Sequence, residues 1–95
     1  MDIRAISTIP LTSLIRKREL AMFFGKRLKE FRQDFNLSRY ALGYKTGFSE
    51  HTIRDYERGK RTPCYRFLCA LQRTFGVDIN QFLPQDEMDL WEVLL

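Results

Sequence analysis

From about Leu11 the apolar residues Leu20, Phe24, Leu28, Phe31 and Phe35 recur at spacings of three and four, which places them on one face of a long helix. Lys26, Arg27, Lys29 and Glu30 fall on its outward positions. Residues 1–10 have mixed polarity without that period and end in Pro10, which reads as an arm or a short edge segment. After Asn36 the pattern changes to two short helical units around one glycine. Ser38 follows the apolar Leu37 and suits an N-cap, its hydroxyl accepting from the free amides of a helix from Arg39 to about Lys45. Gly47 ends that helix, because the position needs a positive φ that glycine adopts without penalty. Ser49 is a second N-cap, for a helix from Glu50 to about Arg58 that Gly59 closes.

Two helices joined by so short a turn must cross steeply. Leu42, Phe48, Ile53 and Tyr56 are the apolar positions facing that crossing, and Glu50, His51, Arg54, Asp55 and Arg58 face outward. Further on, Thr62-Pro63 marks a helix start, with proline at the first helical position where its missing amide costs nothing. That helix carries Phe67, Leu68, Leu71 and Phe75 and stops at Gly76. Asp78 and Gln81 then suit a capping box for a short helix ending in Phe82-Leu83, and Pro84 prevents its continuation. There is no strand signal of comparable strength, no internal repeat and no low-complexity tract. The expectation is an all-α fold, a compact bundle of about five helices.

Leu37-Ser38, Leu42, Gly47, Phe48-Ser49, Thr52-Ile53, Tyr56-Glu57-Arg58-Gly59 and Pro63, set among apolar helix positions, resemble the lambda-repressor and Cro-like helix-turn-helix proteins, the XRE family. The likeness spans roughly residues 22 to 83, and its motifs are specific in combination. It implies three segments: an N-terminal arm or extension (1–21), a helix-turn-helix DNA-binding domain (22–83) and an acidic and apolar C-terminal segment (84–95). In that family the second helix of the motif lies in the major groove, with its first turns at the base edges. By position the resemblance assigns base reading to Ser49, Glu50, His51 and Asp55, with Arg54 beside them.

His51 can donate to guanine N7 or O6, or accept from an exocyclic amine. Glu50 has two readings: it can accept from cytosine N4, or pair within the helix with Arg54 four residues on. Asp55 suits specificity by exclusion, since an acid without an amine donor opposite it is penalised. Arg39 stands where the family usually has a glutamine that clamps a phosphate; an arginine makes the same contact with more charge and reach. Arg58, Lys60 and Arg61 follow the reading helix and are expected on the adjacent backbone, where contacts position without specifying. The family also implies that Glu57 pairs with Arg32, tying the first helix to the reading helix.

Charge distribution agrees with that docking. Residues 24–76 hold twelve Lys/Arg against five Asp/Glu, whereas residues 77–95 hold five acids and no base, within an overall +4. A basic body on phosphates with an acidic tail pointing away is the expected arrangement. Ninety-five residues allow one domain, and 44% hydrophobic content with eight Phe supports a modest core. No apolar run nears the about eighteen residues of a membrane span, and the first ten residues are too broken for a signal peptide, so a cytoplasmic protein is expected. Cys64 and Cys69, five apart on one expected helix, point about 140° apart and cannot bridge, leaving two reduced thiols. With one His, no zinc site of ordinary spacing can be assembled, and no cofactor is implied.

The final residues, D-E-M-D-L-W-E-V-L-L, place acids ahead of apolar pairs Leu90/Leu94 and Trp91/Leu95 at i,i+4 spacing. They suit completion of the core, a dimer contact or a protein partner. A homodimer is expected because one such motif reads few base pairs, and symmetric dimers bind half-sites about 34 Å apart. The leading function is therefore a small sequence-specific regulator of transcription, a repressor on double-stranded DNA. The alternative is an antitoxin that binds its operator and neutralises a toxin through a terminal segment. An enzyme is disfavoured, since no paired nucleophile and base, phosphate loop or metal cluster is present.

Overall fold

The structure is a computed structural model that describes residues 10–84. Residues 1–9 of the arm expected over residues 1–10, and the Leu90/Leu94 and Trp91/Leu95 segment near the end, lie outside the described residues; Pro10, expected to close the arm, opens the first helix. Among the described residues there are four α-helices, α1 (Pro10–Asp34), α2 (Arg39–Thr46), α3 (Glu50–Glu57) and α4 (Tyr65–Phe75), followed by a 3-10 turn (Ile79–Phe82) and no strand.

The core follows from the apolar periods. Leu20, Phe24, Leu28 and Phe31 of α1 meet Leu42 of α2, Ile53 and Tyr56 of α3, and Phe67, Leu68 and Leu71 of α4, with Phe82 and Leu83 closing the end. Phe24 is the aromatic hub: its ring meets Tyr56, Phe67 and Phe82 edge-on, at 5.4, 6.0 and 6.0 Å. Such edge-to-face pairs add about 0.5–1.5 kcal/mol each beyond simple burial, so this hub fixes α1 against both α3 and α4. Phe35 keeps to the same face, its ring 4.5 Å from that of Phe31 and 5.3 Å from that of Phe75, but it is 49% exposed. The reason is local: α1 ends at Asp34, and Asn36 takes a left-handed conformation (φ 55°) that turns the chain away. Asn36 N–H donates to Gln33 and Leu37 N–H to Arg32, a Schellman ending in which asparagine replaces the usual glycine.

Three expectations about the second half need correction. The fifth helix is a single 3-10 turn, because Leu83 N–H already bonds back to Asn80 and Pro84 has no amide with which to extend it. The capping box is not made: Asp78 accepts from Asn80 N–H at 3.0 Å, while the Gln81 carbonyl accepts from Arg27 Nε at 3.1 Å. And α4 begins at Tyr65, two residues after Pro63, with Cys64 as an extended N-cap that makes no side-chain cap bond. Pro63 is a buried plug ahead of the helix, and Cys64 lies outside it. Both cysteines are free thiols, Cys64 exposed and Cys69 half-buried.

Two glycines set the packing distances. A Cβ on Gly25 would lie 2.3 Å from the Tyr56 carbonyl oxygen, and one on Gly43 would lie 2.4 Å from that of Phe48. The first allows α1 to press onto the C-terminal end of α3, and the second brings α2 against the corner that leads into α3.

Candidate nucleic-acid interface

α2 and α3 form a rigidly capped pair. Ser38 Oγ accepts from Ala41 N–H at 3.0 Å, and Gly47, at φ 83°, ends α2 with its amide on the Gly43 carbonyl. Thr46 Oγ1 donates back to the Leu42 carbonyl at 2.8 Å, so the last polar group of this buried end is satisfied. Ser49 Oγ accepts from Thr52 N–H at 3.1 Å and shares a 2.9 Å hydrogen bond with Thr52 Oγ1. At the far end, Lys60 N–H reaches the Asp55 carbonyl and Gly59 N–H that of Tyr56, a second Schellman ending with Gly59 at φ 73°.

The orientation of α3 is held by Ile53 and Tyr56, both buried, and by Glu57, whose side chain is 1% exposed. Arg32 meets that carboxylate two-pronged, Nε donating to Oε2 at 2.6 Å and Nη2 to Oε1 at 3.1 Å, while its Nη1 donates to the Leu37 carbonyl at 2.9 Å. Arg39 Nε donates to Glu57 Oε1 at 3.1 Å. A buried carboxylate with two guanidiniums thus joins α1, the start of α2 and the end of α3. The Arg39 bond had no sequence signal, since eighteen residues separate the partners. Arg39 spends only its Nε here; among the described residues its Nη groups make no hydrogen bond, and they remain available to a phosphate.

Outward from this anchor, Glu50, His51 and Arg58 are exposed, and Arg54 and Asp55 are half-buried. The Glu50–Arg54 pair is not formed. Arg54 Nη2 lies instead 2.7 Å from His51 Nδ1. Because a guanidinium can only donate, Nδ1 accepts and the ring proton sits on Nε2, which faces Asp55 Oδ2 at 3.4 Å. Asp55 Oδ2 also lies 3.6 Å from Arg61 Nε. The structure thus brings His51, Arg54, Asp55 and Arg61 into one relay, leaves Glu50 outside it, and commits the Ser49 hydroxyl to the helix cap. Lys60 is exposed in the loop that follows α3.

Beneath the interface the Tyr56 hydroxyl donates to Cys64 Sγ at 3.6 Å. Burial, and then this bond, push the phenol well above its ordinary 10.0. At the surface of α4, the contact with Cys69 raises the Tyr65 phenol as well. Among the described residues no helix is long and apolar enough to cross a membrane, and no group of three or more His, Cys, Asp or Glu is placed to hold a metal.

A capped two-helix corner, with the second helix anchored inward and polar side chains outward, defines a helix-turn-helix. Residues 24–82 match the model of the helix-turn-helix domain family, and the chain belongs to that family in its XRE-like, DNA-binding form. It is 35% identical over 66 residues to an uncharacterised HTH-type transcriptional regulator of Archaeoglobus fulgidus, covering 70% of this chain and 93% of that protein. A second such regulator of the same organism is 31% identical over 65 residues, 68% of this chain and 93% of its own length. The multiprotein-bridging factor 1 of Debaryomyces hansenii is 30% identical over 67 residues, 70% of this chain but 45% of that protein. No solved structure matches the chain.

Proposed function

We propose that the protein is a transcriptional regulator that binds double-stranded DNA sequence-specifically, as a cytoplasmic repressor dimer on a palindromic operator. One observation carries the reading: α3 is fixed to the core by Ile53, Tyr56 and the Arg32–Glu57 pair, while its opposite face offers Glu50, His51 and Arg54 at its first turns. Side chains so held can enter a major groove without costly reordering. His51 and Arg54 are the leading base readers. Asp55 acts by exclusion and also aims Arg61, and Arg39, Arg58, Lys60 and Arg61 grip the flanking phosphates. Relatives described as transcriptional regulators support the regulatory role.

Selection of bound fragments from a random duplex pool tests this. The expected product is a palindrome with half-sites about one helical turn apart. Failure to enrich any sequence would reject specific binding, and enrichment of a single unrepeated half-site would reject the dimer.

A further inference from the structure

We propose that the N-terminal half of α1 supplies a phosphate-binding wall: Lys17 and Arg18, together with Lys60 and Arg61, form one cleft that holds a backbone phosphodiester of the DNA beside the segment read by α3. The inference deepens the DNA-binding reading and rests on it.

The cleft has a volume of about 300 Å³ and lies between Lys17 and Arg18 on α1 and the loop from Gly59 to Thr62. Its construction follows from the packing. Ala21 and Leu20 are buried at the edge of the core, so Lys17, one turn earlier on the face of Ala21, overhangs the loop that leaves α3. The loop is held close by Gly59, where a Cβ would come within 3.3 Å of Met22 Cγ. Among the described residues four cationic side chains line the cleft and no carboxylate does. Arg61 is near Asp55, but among the described residues Lys17, Arg18 and Lys60 have no acidic partner.

Gathering like charges around a concave surface is unfavourable until an anion occupies it, and such a surface focuses potential on that anion. Lys60 and Arg61 follow α3 directly, and Arg61 is tied to Asp55 on its outward face. A duplex with α3 in its major groove must carry a phosphate strand past this end of the helix. That continuity favours a phosphodiester of bound DNA over a free anion.

The test compares the full chain with the variant Lys17→Gln/Arg18→Gln, using two duplexes bearing the selected sequence, one trimmed to the read segment and one extended about ten base pairs on each side, as an assay choice scaled to one helical turn. Both replaced side chains are exposed, and circular dichroism with a melting curve checks that the variant stays folded. On the extended duplex the slope of log affinity against log salt is expected to flatten by about 0.9 for each lost contact, with base preference unchanged. On the trimmed duplex the two proteins should differ less. An unchanged salt slope on the extended duplex, in a folded variant, overturns the inference while leaving sequence-specific binding by the parent intact. Failure of the parent to bind any duplex overturns both readings. Inorganic phosphate is the remaining probe: if it perturbs Lys17 and Arg18 in nuclear magnetic resonance spectra while the DNA salt slope is the same for both proteins, the cleft is a small-anion site and the inference fails.

Discussion

Arg39 Nε and Glu57 Oε1 lie 3.1 Å apart, so the carboxylate that locks α3 also aims the arginine at the head of α2. Stability and the proposed phosphate contact therefore share one acid. Glu57→Gln should cost about 3–5 kcal/mol of unfolding free energy, because two guanidiniums lose a buried counter-charge. Arg39→Gln should cost under about 1 kcal/mol, since Arg39 is one-third exposed, yet weaken DNA binding on every sequence alike. Urea unfolding beside fluorescence anisotropy separates the two. A Glu57→Gln protein as stable as the parent would show that the pair contributes nothing net.

A tightly packed glycine should behave unlike an open one. Gly25→Ala drives a methyl group against the Tyr56 carbonyl, a backbone atom that cannot swing aside, and should destabilise by about 1–3 kcal/mol or more. Gly47→Ala meets nothing within 4 Å, so only the left-handed backbone opposes it, at about 1–2 kcal/mol. Gly25→Ala should in addition weaken DNA binding in proportion to the displacement of α3. Thermal unfolding and binding on the same samples check both.

Ser49 and His51 separate a cap from a proposed reader. Ser49→Ala should lower stability by about 0.5–2 kcal/mol through loss of the Thr52 amide bond, with little change in the preferred sequence. His51→Ala should leave stability nearly unchanged and shift base preference by about 1–3 kcal/mol at one position of each half-site. Repeating the fragment selection with each variant measures this. A changed consensus for Ser49→Ala would make its hydroxyl a reader despite the cap.

Alkaline pH should unfold the protein through Tyr56. Its phenol ionises at a higher pH folded than unfolded, so the folded state holds the proton longer. The stabilisation is complete below pH 10.0, the ordinary value, and is lost progressively as pH rises above it. Tyr56→Phe removes the Tyr56 part of that dependence. Melting curves at pH 8 and at about pH 11 should differ less for the variant than for the parent.

Much of this architecture was legible because local chemistry dictated it. Ser38, Gly47, Ser49, Gly59 and Gly76 stand at helix ends where capping or positive φ makes their residue type informative, and the three-and-four spacing from Leu20 to Phe31 marked the buried face of α1. Phe35 packs on Phe31 and Phe75 as its period implies, but periodicity does not register where a helix stops, so its partial exposure was not legible; Asn36 ended the helix by a left-handed turn that asparagine tolerates without announcing. Pro63 misled, since a proline before a helix and a proline within its first turn look alike in sequence. The site was less legible than the fold. Outward residues on α3 followed from helical geometry, but which of them pair does not: Arg54 had Glu50 and His51 within reach and took His51. Gly25 and Gly43 carried no local signal, because their partners are carbonyl groups of other elements.

The corner between α2 and α3 is only Gly47 to Ser49, with the Gly43 backbone pressed against Phe48 and a hydroxyl closing each helix start. A joint so short and closely packed opposes a change in the angle between its two arms. When the protein meets a duplex whose groove is too wide, too narrow or too straight, the nucleic acid must therefore do the bending. Base pairs that α3 never touches would then influence affinity through their stiffness alone.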